Sequence, residues 1–210
     1  MGKNKNGFTT FSLLRSILMK RSLHKRGFTL VELTIGILLF GLVTFLMAAI
    51  YISHYRIYSN QNTTINVASQ ARLALDDITN NIRIADSIVS TCTNCGSDTT
   101  GANVIILQLW PTDTNGNPQD PGSTNFDYIV YKQSPSDATQ LTRKIIPSGI
   151  SSRKSQTQVI ASSINSLQFT YNNATPTNAT EVTTQITTQS KSLGKTISST
   201  QQKTGFLMNK

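Results

Sequence analysis

The chain has 210 residues, a length that allows one membrane helix and one modest folded domain. Its formal charge of +9 would suit a nucleic-acid-binding protein, but seven of the 19 basic residues lie in residues 1–27, which hold no acid. The other twelve basic residues are nearly balanced by ten acidic ones in a remainder rich in Ser, Thr, Asn and Gln, so we expect no direct nucleic-acid binding.

Residues 28–52 form an apolar run directly after this basic segment. As a helix rising about 1.5 Å per residue, the run would be about 37 Å long, against about 30 Å of hydrocarbon in a bilayer. The positive-inside rule then places residues 1–27 in the cytoplasm and the rest of the chain outside. A cleaved secretory signal fits less well, because its apolar region is shorter and ends at a small-residue site.

The junction between the two segments reads KRGFTLVE over residues 25–32, and Glu32 is the only charged residue of the apolar run. An acid in a membrane segment is costly, so it is a candidate functional residue that needs a partner. Cleavage after Gly27 would create one, because Phe28 would gain an α-amino group able to pair with Glu32 of a neighbouring subunit. The alternative is a plain signal anchor with a tolerated glutamate.

Beyond the membrane segment, apolar residues recur at steps of three and four, which predicts an amphipathic continuation of the helix over residues 53–90. They are Ala68, Ala71, Leu75, Ile78, Ile82, Ala85 and Val89. No Pro or Gly interrupts residues 42–95, so one helix is expected to run to about Ser90.

The two cysteines, Cys92 and Cys95, lie in a Cys-Thr-Asn-Cys segment. Their spacing fits a small disulfide loop in an oxidising compartment, a redox pair or two free thiols. A zinc site is not expected, because there is no second cysteine pair and the two histidines, His24 and His54, flank the membrane segment. We favour a disulfide that supports only the turn after the helix, and we expect no metal and no cofactor.

From Val104 onward the pattern changes to short strands bounded by Pro, Gly, Asn and Asp. The candidate strands cover residues 104–110, 126–132, 140–146, 166–171, 181–190 and 195–207. Leu193-Gly194 between the last two predicts a hairpin turn. Residues 91–210 are therefore expected to form a β-rich extracytoplasmic domain, and the fold class is α+β, with a long N-terminal helix packed on an antiparallel sheet.

No catalytic residue is expected. Residues 91–210 contain no histidine, no glycine-rich phosphate loop follows a strand, and no acidic pair lies in an apolar setting. The chain is therefore not expected to be an enzyme.

The KRGFTLVE junction resembles the cleavage and methylation motif of type IV pilins and type II secretion pseudopilins. The resemblance implies that a prepilin peptidase cleaves after Gly27, that Phe28 is then N-methylated, and that Glu32 acts in filament assembly. Residues 70–78, 81–86, 160–171 and 195–209 are similar, less specifically, to J-type minor pseudopilins and W-type minor pilins. The leader is long for the family, and a start at Met19 would give a nine-residue leader of the usual kind.

The resemblance implies a pilin-like structural subunit, with a minor subunit favoured, that helps to initiate or cap a type IV pilus or a type II secretion pseudopilus. Such a machine would serve secretion, adhesion or DNA uptake. Its implied partners are the prepilin peptidase, an inner-membrane assembly platform, membrane lipid before assembly, and other subunits through the N-terminal helix. The expected location is the cytoplasmic membrane, with the C-terminal domain outside, and then an extracytoplasmic filament. The alternative is a membrane-tethered adhesin or substrate receptor that does not polymerise.

Overall fold

The computed structural model describes residues 27–208, so the basic leader up to Arg26 lies outside the described residues. Within that range a single long helix, α1 (Leu30–Ile84), precedes the strands. The strands are β1 (Ser87–Ile88), β2 (Val104–Leu109), β3 (Asp127–Gln133), β4 (Leu141–Ile146), β5 (Gln156–Ala161), β6 (Ile164–Tyr171), β7 (Glu181–Ser192) and β8 (Lys195–Phe206), with a short 3-10 helix (Pro176–Asn178) before β7. This is the expected α+β arrangement of one long N-terminal helix and antiparallel sheets.

The chain divides after Ile52 into two compact units. In the first unit, every described residue is exposed, including large apolar side chains such as Phe40 and Phe45. By length and composition, α1 is apolar enough to cross a membrane. The length and apolar composition of the helix therefore support the membrane-spanning segment predicted over residues 28–52.

In the second unit, α1 buries one face against both sheets. The buried apolar positions are Val67, Ala71, Ala74, Leu75, Ile78 and Ile82. The two alanines allow the helix backbone to approach the strands closely. At Val67 the helix backbone is hydrogen-bonded to the second sheet, because the Thr188 hydroxyl of β7 donates to the Val67 carbonyl oxygen at 2.7 Å.

The first sheet has the order β1-β2-β3-β4-β5, and every pair of neighbours is antiparallel. Because side chains alternate along a strand, β2 presents Ile105 and Leu107 to the core under α1 and Ile106 to the opposite face. On that opposite face Ile106 packs with Val130 and Cys95. Both faces of the sheet are therefore covered at β2 and β3.

The second sheet has the order β6-β7-β8. The hairpin predicted at Leu193-Gly194 is present: these two residues join β7 to β8 with φ values of 47° and 80°. Two consecutive positive φ values are typical of a type I′ turn, whose twist matches that of the flanking strands. Glycine adopts this conformation without strain, whereas Leu193 adopts it as an uncommon non-glycine case.

The structure corrects the predicted end of the helix. Helix α1 ends at Ile84, and the amphipathic segment predicted over residues 53–90 changes to extended chain six residues earlier. The backbone N–H groups of Asp86 and Val89 donate to Gln108 and Ile106 of β2, at 2.8 and 3.1 Å. Apolar residues continue at helix-like spacing past Ile84, so the sequence pattern alone did not show where the helix ends. The helix ends there because the following residues pair with β2.

Strand β5 was also missed by the sequence. Four of its six side chains are exposed, and it lies at the edge of the first sheet, paired with β4 alone. An edge strand with so little burial carries no clear alternation of apolar and polar residues. Its existence depends on backbone pairing with β4, which a pattern of side chains does not encode.

Candidate functional site

The candidate site is the start of α1. Gly27, Phe28 and Thr29 precede the helix and are not helical, and all three are exposed. The Phe28 side chain is 86% exposed. The peptide bond between Gly27 and Phe28, which the resemblance assigns to the peptidase, therefore lies in accessible non-helical chain, where no helical hydrogen bond has to be broken before cleavage.

Thr29 and Glu32 cap the start of the helix reciprocally. Glu32 Oε2 accepts hydrogen bonds from the Thr29 backbone N–H at 2.9 Å and from the Thr29 hydroxyl at 3.0 Å. The Glu32 backbone N–H donates to Thr29 Oγ1 at 3.2 Å. This arrangement is a capping box, which satisfies backbone donors that would otherwise lack partners in the first turn.

The sequence carries the signature of this capping box, although the prediction for Glu32 did not include it. A Thr followed three residues later by Glu, just before an apolar run, is its signature. Glu32 therefore has a partner within its own chain, in addition to the expected Phe28 amine of a neighbour. Both bonds from Thr29 use Oε2, and no donor within residues 27–208 bonds to Oε1. One oxygen thus caps the helix while the other remains able to accept a further donor.

The other predicted pair, Cys92 and Cys95, is joined by a disulfide. Its role is broader than support for the turn after the helix. Cys95 is 3% exposed and packs with Ile106, Val130 and Ile146, on the face of the first sheet opposite α1. The disulfide loop therefore covers part of this face.

Two polar clusters that the sequence did not reveal stabilise the second unit. In the first, the Asp77 carboxylate on α1 accepts hydrogen bonds from Tyr131 Oη at 2.8 Å and from Arg143 Nη1 at 2.6 Å. Burial, and then the negative charge of Asp77, raises the pKa of Tyr131 well above its usual range. This cluster joins α1 to β3 and β4.

The second cluster surrounds Asp127, which is fully buried. Its carboxylate accepts from Arg153 Nη1 at 2.6 Å, from Ser151 Oγ at 2.7 Å and from the Ser148 backbone N–H at 2.8 Å. Arg153 Nη1 also donates to the Trp110 carbonyl oxygen at 2.6 Å. A buried carboxylate with this many donors is compensated, so the cluster fixes the loop after β4.

The polar segment at Asp113 forms a tight turn. Asp113 Oδ1 accepts from the backbone N–H groups of Asn117 and Asn115, each at 2.8 Å, and these bonds, that from Asn117 most of all, lower the pKa of Asp113 below its usual range. From residue 27 to residue 208, no group of three or more His, Cys, Asp or Glu side chains is placed to hold a metal ion. The hydrogen bonds that the Asp113 carboxylate accepts are those of an Asx turn, in which an Asp side chain bonds the backbone of the residues that follow it.

No family model, no curated protein and no solved structure matches this chain. The case for its function therefore depends on the residues and geometry described above.

Proposed function

We propose that this chain is a structural subunit of the type IV pilin-like class, a minor pilin or pseudopilin that helps to initiate or cap a filament. The observation that carries the proposal is the junction at Gly27-Phe28. A basic leader ends there, and an apolar helix with an acid in its first turn begins three residues later. A plain membrane anchor requires the basic and apolar segments but neither the glycine nor the early acid.

The first step of the proposed function is maturation. A prepilin peptidase cleaves the bond after Gly27 and methylates the new amino group of Phe28. The accessible, non-helical position of this bond supports the proposal, because a peptidase acts on chain that is not held in a helix. Initiation at Met1 or at Met19 would yield the same mature chain.

The second step is assembly. Exposed apolar residues cover the segment of α1 in the first unit, and such a surface is stable only in lipid or against other apolar helices. Lipid covers it before assembly, and the helices of neighbouring subunits cover it afterwards. In the filament, Glu32 Oε1 accepts the protonated Phe28 amine of a neighbour, while Oε2 keeps its bonds to Thr29. This ion pair sets the axial register of the subunits.

The proposed location follows from the same residues. The leader stays in the cytoplasm and the second unit lies outside the membrane, in agreement with the positive-inside rule. The disulfide between Cys92 and Cys95 supports this orientation, because such bonds persist in oxidising compartments.

The decisive experiment is the intact mass of the mature N-terminus, measured on the chain expressed with a prepilin peptidase and without it. We expect N-methylated Phe28 only when the peptidase is present. Gly27→Val should block cleavage by placing a branched side chain at the scissile bond. Gly7→Val, in a chain expressed from Met1, is the matched control, because Gly7-Phe8 repeats the same dipeptide without the long apolar run after it. If only precursor is found with the peptidase present, the proposal is wrong.

A further inference from the structure

The second sheet has one face in the core and one face turned away from it. Along β7 the buried residues Thr184, Ile186 and Thr188 alternate strictly with less buried ones. The less buried residues point outward, and they are Thr183, Gln185, Thr187 and Gln189. We call the side turned away from the core the outer face of β6–β8.

The strand register places chemically alike side chains next to one another on the outer face. One row across β6, β7 and β8 is Gln168, Gln185 and Gln202. The rows on either side of it consist of hydroxyl side chains. They are Thr170, Thr183 and Thr204 on one side, and Ser166, Thr187 and Thr200 on the other.

The charged residues of β7 that point outward lie only at the two ends of this array. Glu181 pairs with Phe206 at one end, and Lys191 pairs with Thr196 at the other. The rows between them carry only Ser, Thr and Gln. Such a face offers no charge to a nucleic acid or an acidic polymer, and little apolar area to a protein partner.

Two pairs of hydroxyl groups on the face are held in place by hydrogen bonds between β7 and β8 before any ligand arrives. The hydroxyls of Thr183 and Thr204 lie 2.9 Å apart, as do those of Thr187 and Thr200. Threonine is also stiff at χ1, so ordering these side chains on binding costs little entropy. Adjacent strands lie about 4.8 Å apart and alternate residues about 6.8 Å apart, which makes the face a regular grid of donors and acceptors.

We propose that the outer face of β6–β8 binds a neutral polysaccharide chain. Each hydroxyl and amide on the face both donates and accepts hydrogen bonds, as each sugar hydroxyl does, so the match requires no charge on either side. Phe206, 58% exposed at the end of the face, supplies an apolar ring for the C–H side of one sugar. The inference does not depend on filament assembly, since a subunit with or without a filament would carry the same face.

The test uses the full chain in micelles of a detergent without a sugar head group, which would compete. The probes are microcrystalline cellulose and chitin, and bound protein is measured by sedimentation. One variant carries Thr183→Val, Thr187→Val and Thr200→Val, which remove hydroxyls and keep β-branched shape. A second carries Gln185→Glu and Gln202→Lys, an opposite-charge cross-strand pair that keeps the sheet. Thr157→Val on the exposed part of β5 is the matched control.

We expect wild type and Thr157→Val to bind at least one probe equally at low and high salt. Both face variants should bind at least tenfold more weakly while keeping the wild-type circular dichroism spectrum. Failure of wild type to bind either probe overturns the proposal, as does equal binding by the variants. Binding lost at high salt would also overturn it, because it would show that charged residues outside the outer face of β6–β8 bind the probe. Self-association that the substitutions abolish, without an effect on probe binding, would make the face an interface between copies instead.

Discussion

Glu32 Oε2 accepts hydrogen bonds from both the backbone N–H and the hydroxyl of Thr29, so the one acid of the apolar run caps its own helix. The acid therefore has two separable roles, a cap within the chain and the proposed counter-charge for a neighbour. The two roles make different demands on the side chain, because capping needs an acceptor and the ion pair needs a charge.

Glu32→Gln separates them. Glutamine at this position also completes a capping box, so the cap is kept while the charge is lost. We expect this variant to be inserted and cleaved normally, yet to enter filaments about tenfold less than wild type, because the Phe28 amine of a neighbour would be buried without a counter-charge. Sheared-filament and membrane fractions, with a count of filaments, measure the effect.

Thr29→Ala is the converse control for that experiment, since it keeps the carboxylate and removes the cap. It should assemble far better than Glu32→Gln. If the glutamine variant assembles like wild type while Glu32→Ala does not, the cap is the essential role and the intersubunit ion pair is wrong.

Gly205 on β8 lies against Ile82 of α1. A Cβ atom at Gly205 would be 3.0 Å from Ile82 Cγ2, tighter than most contacts of Cβ atoms in proteins, so Ile82 would have to shift to make room for it. Gly205→Ala should therefore destabilise the second unit by about 1–3 kcal/mol, as overpacking does. Unfolding in micelles can be followed by the fluorescence of Trp110, the one tryptophan of the chain.

Gly149→Ala is the matched control for Gly205→Ala, because nothing lies within 4 Å of the added Cβ. It should be neutral or stabilising by up to about 1 kcal/mol, through a less flexible unfolded chain. Ile82→Ala should make the cost of Gly205→Ala smaller in a double-mutant cycle. An unchanged cost would show that the clash is not with Ile82.

The disulfide and the burial of Cys95 should contribute separately to stability. Reduction of the wild-type chain removes only the cross-link of a very short loop, which we expect to cost about 1–2 kcal/mol. Cys95→Ser in the reduced chain adds a buried hydroxyl among apolar side chains and should cost about 1–3 kcal/mol more. Cys92→Ser, at a half-buried position, should add less under the same conditions. Equal costs for the two serine variants would contradict a core role for Cys95.

Tyr131 and Tyr171 should ionise only as the second unit unfolds. Burial raises the pKa of both hydroxyls above the usual value of 10.0, so the folded chain keeps its protons where the unfolded chain loses them. Stability is then unaffected below about pH 10 and falls as the pH rises above it. Tyrosinate absorbance from Tyr131 and Tyr171 should therefore appear together with unfolding. Tyr171→Phe should leave one such tyrosine, and early titration of both would contradict the burial argument.

The sequence predicted the features that depend on local pattern. The existence of the long helix, the strands with alternating burial and the Leu193-Gly194 hairpin each carry their signal in neighbouring residues. Contacts between distant residues left no such signal. Asp77 and Arg143 are 66 residues apart, and nothing in the residues around either one indicates their ion pair, which forms only when α1 packs against β4. The end of α1 was missed for the same reason, since β2 lies beyond it in the chain.

The antiparallel pairing has a consequence for how the second unit folds. Every strand pair in both sheets joins strands that follow one another in sequence. Each pairing is local in sequence, and the longest loop it closes is the 17 residues between Leu109 of β2 and Asp127 of β3, so the entropy lost before the first contacts form is modest. A chain delivered progressively from its N-terminus can therefore complete β1–β5 before β6–β8 arrive. Only the packing of the second sheet on α1 must wait for the last strand.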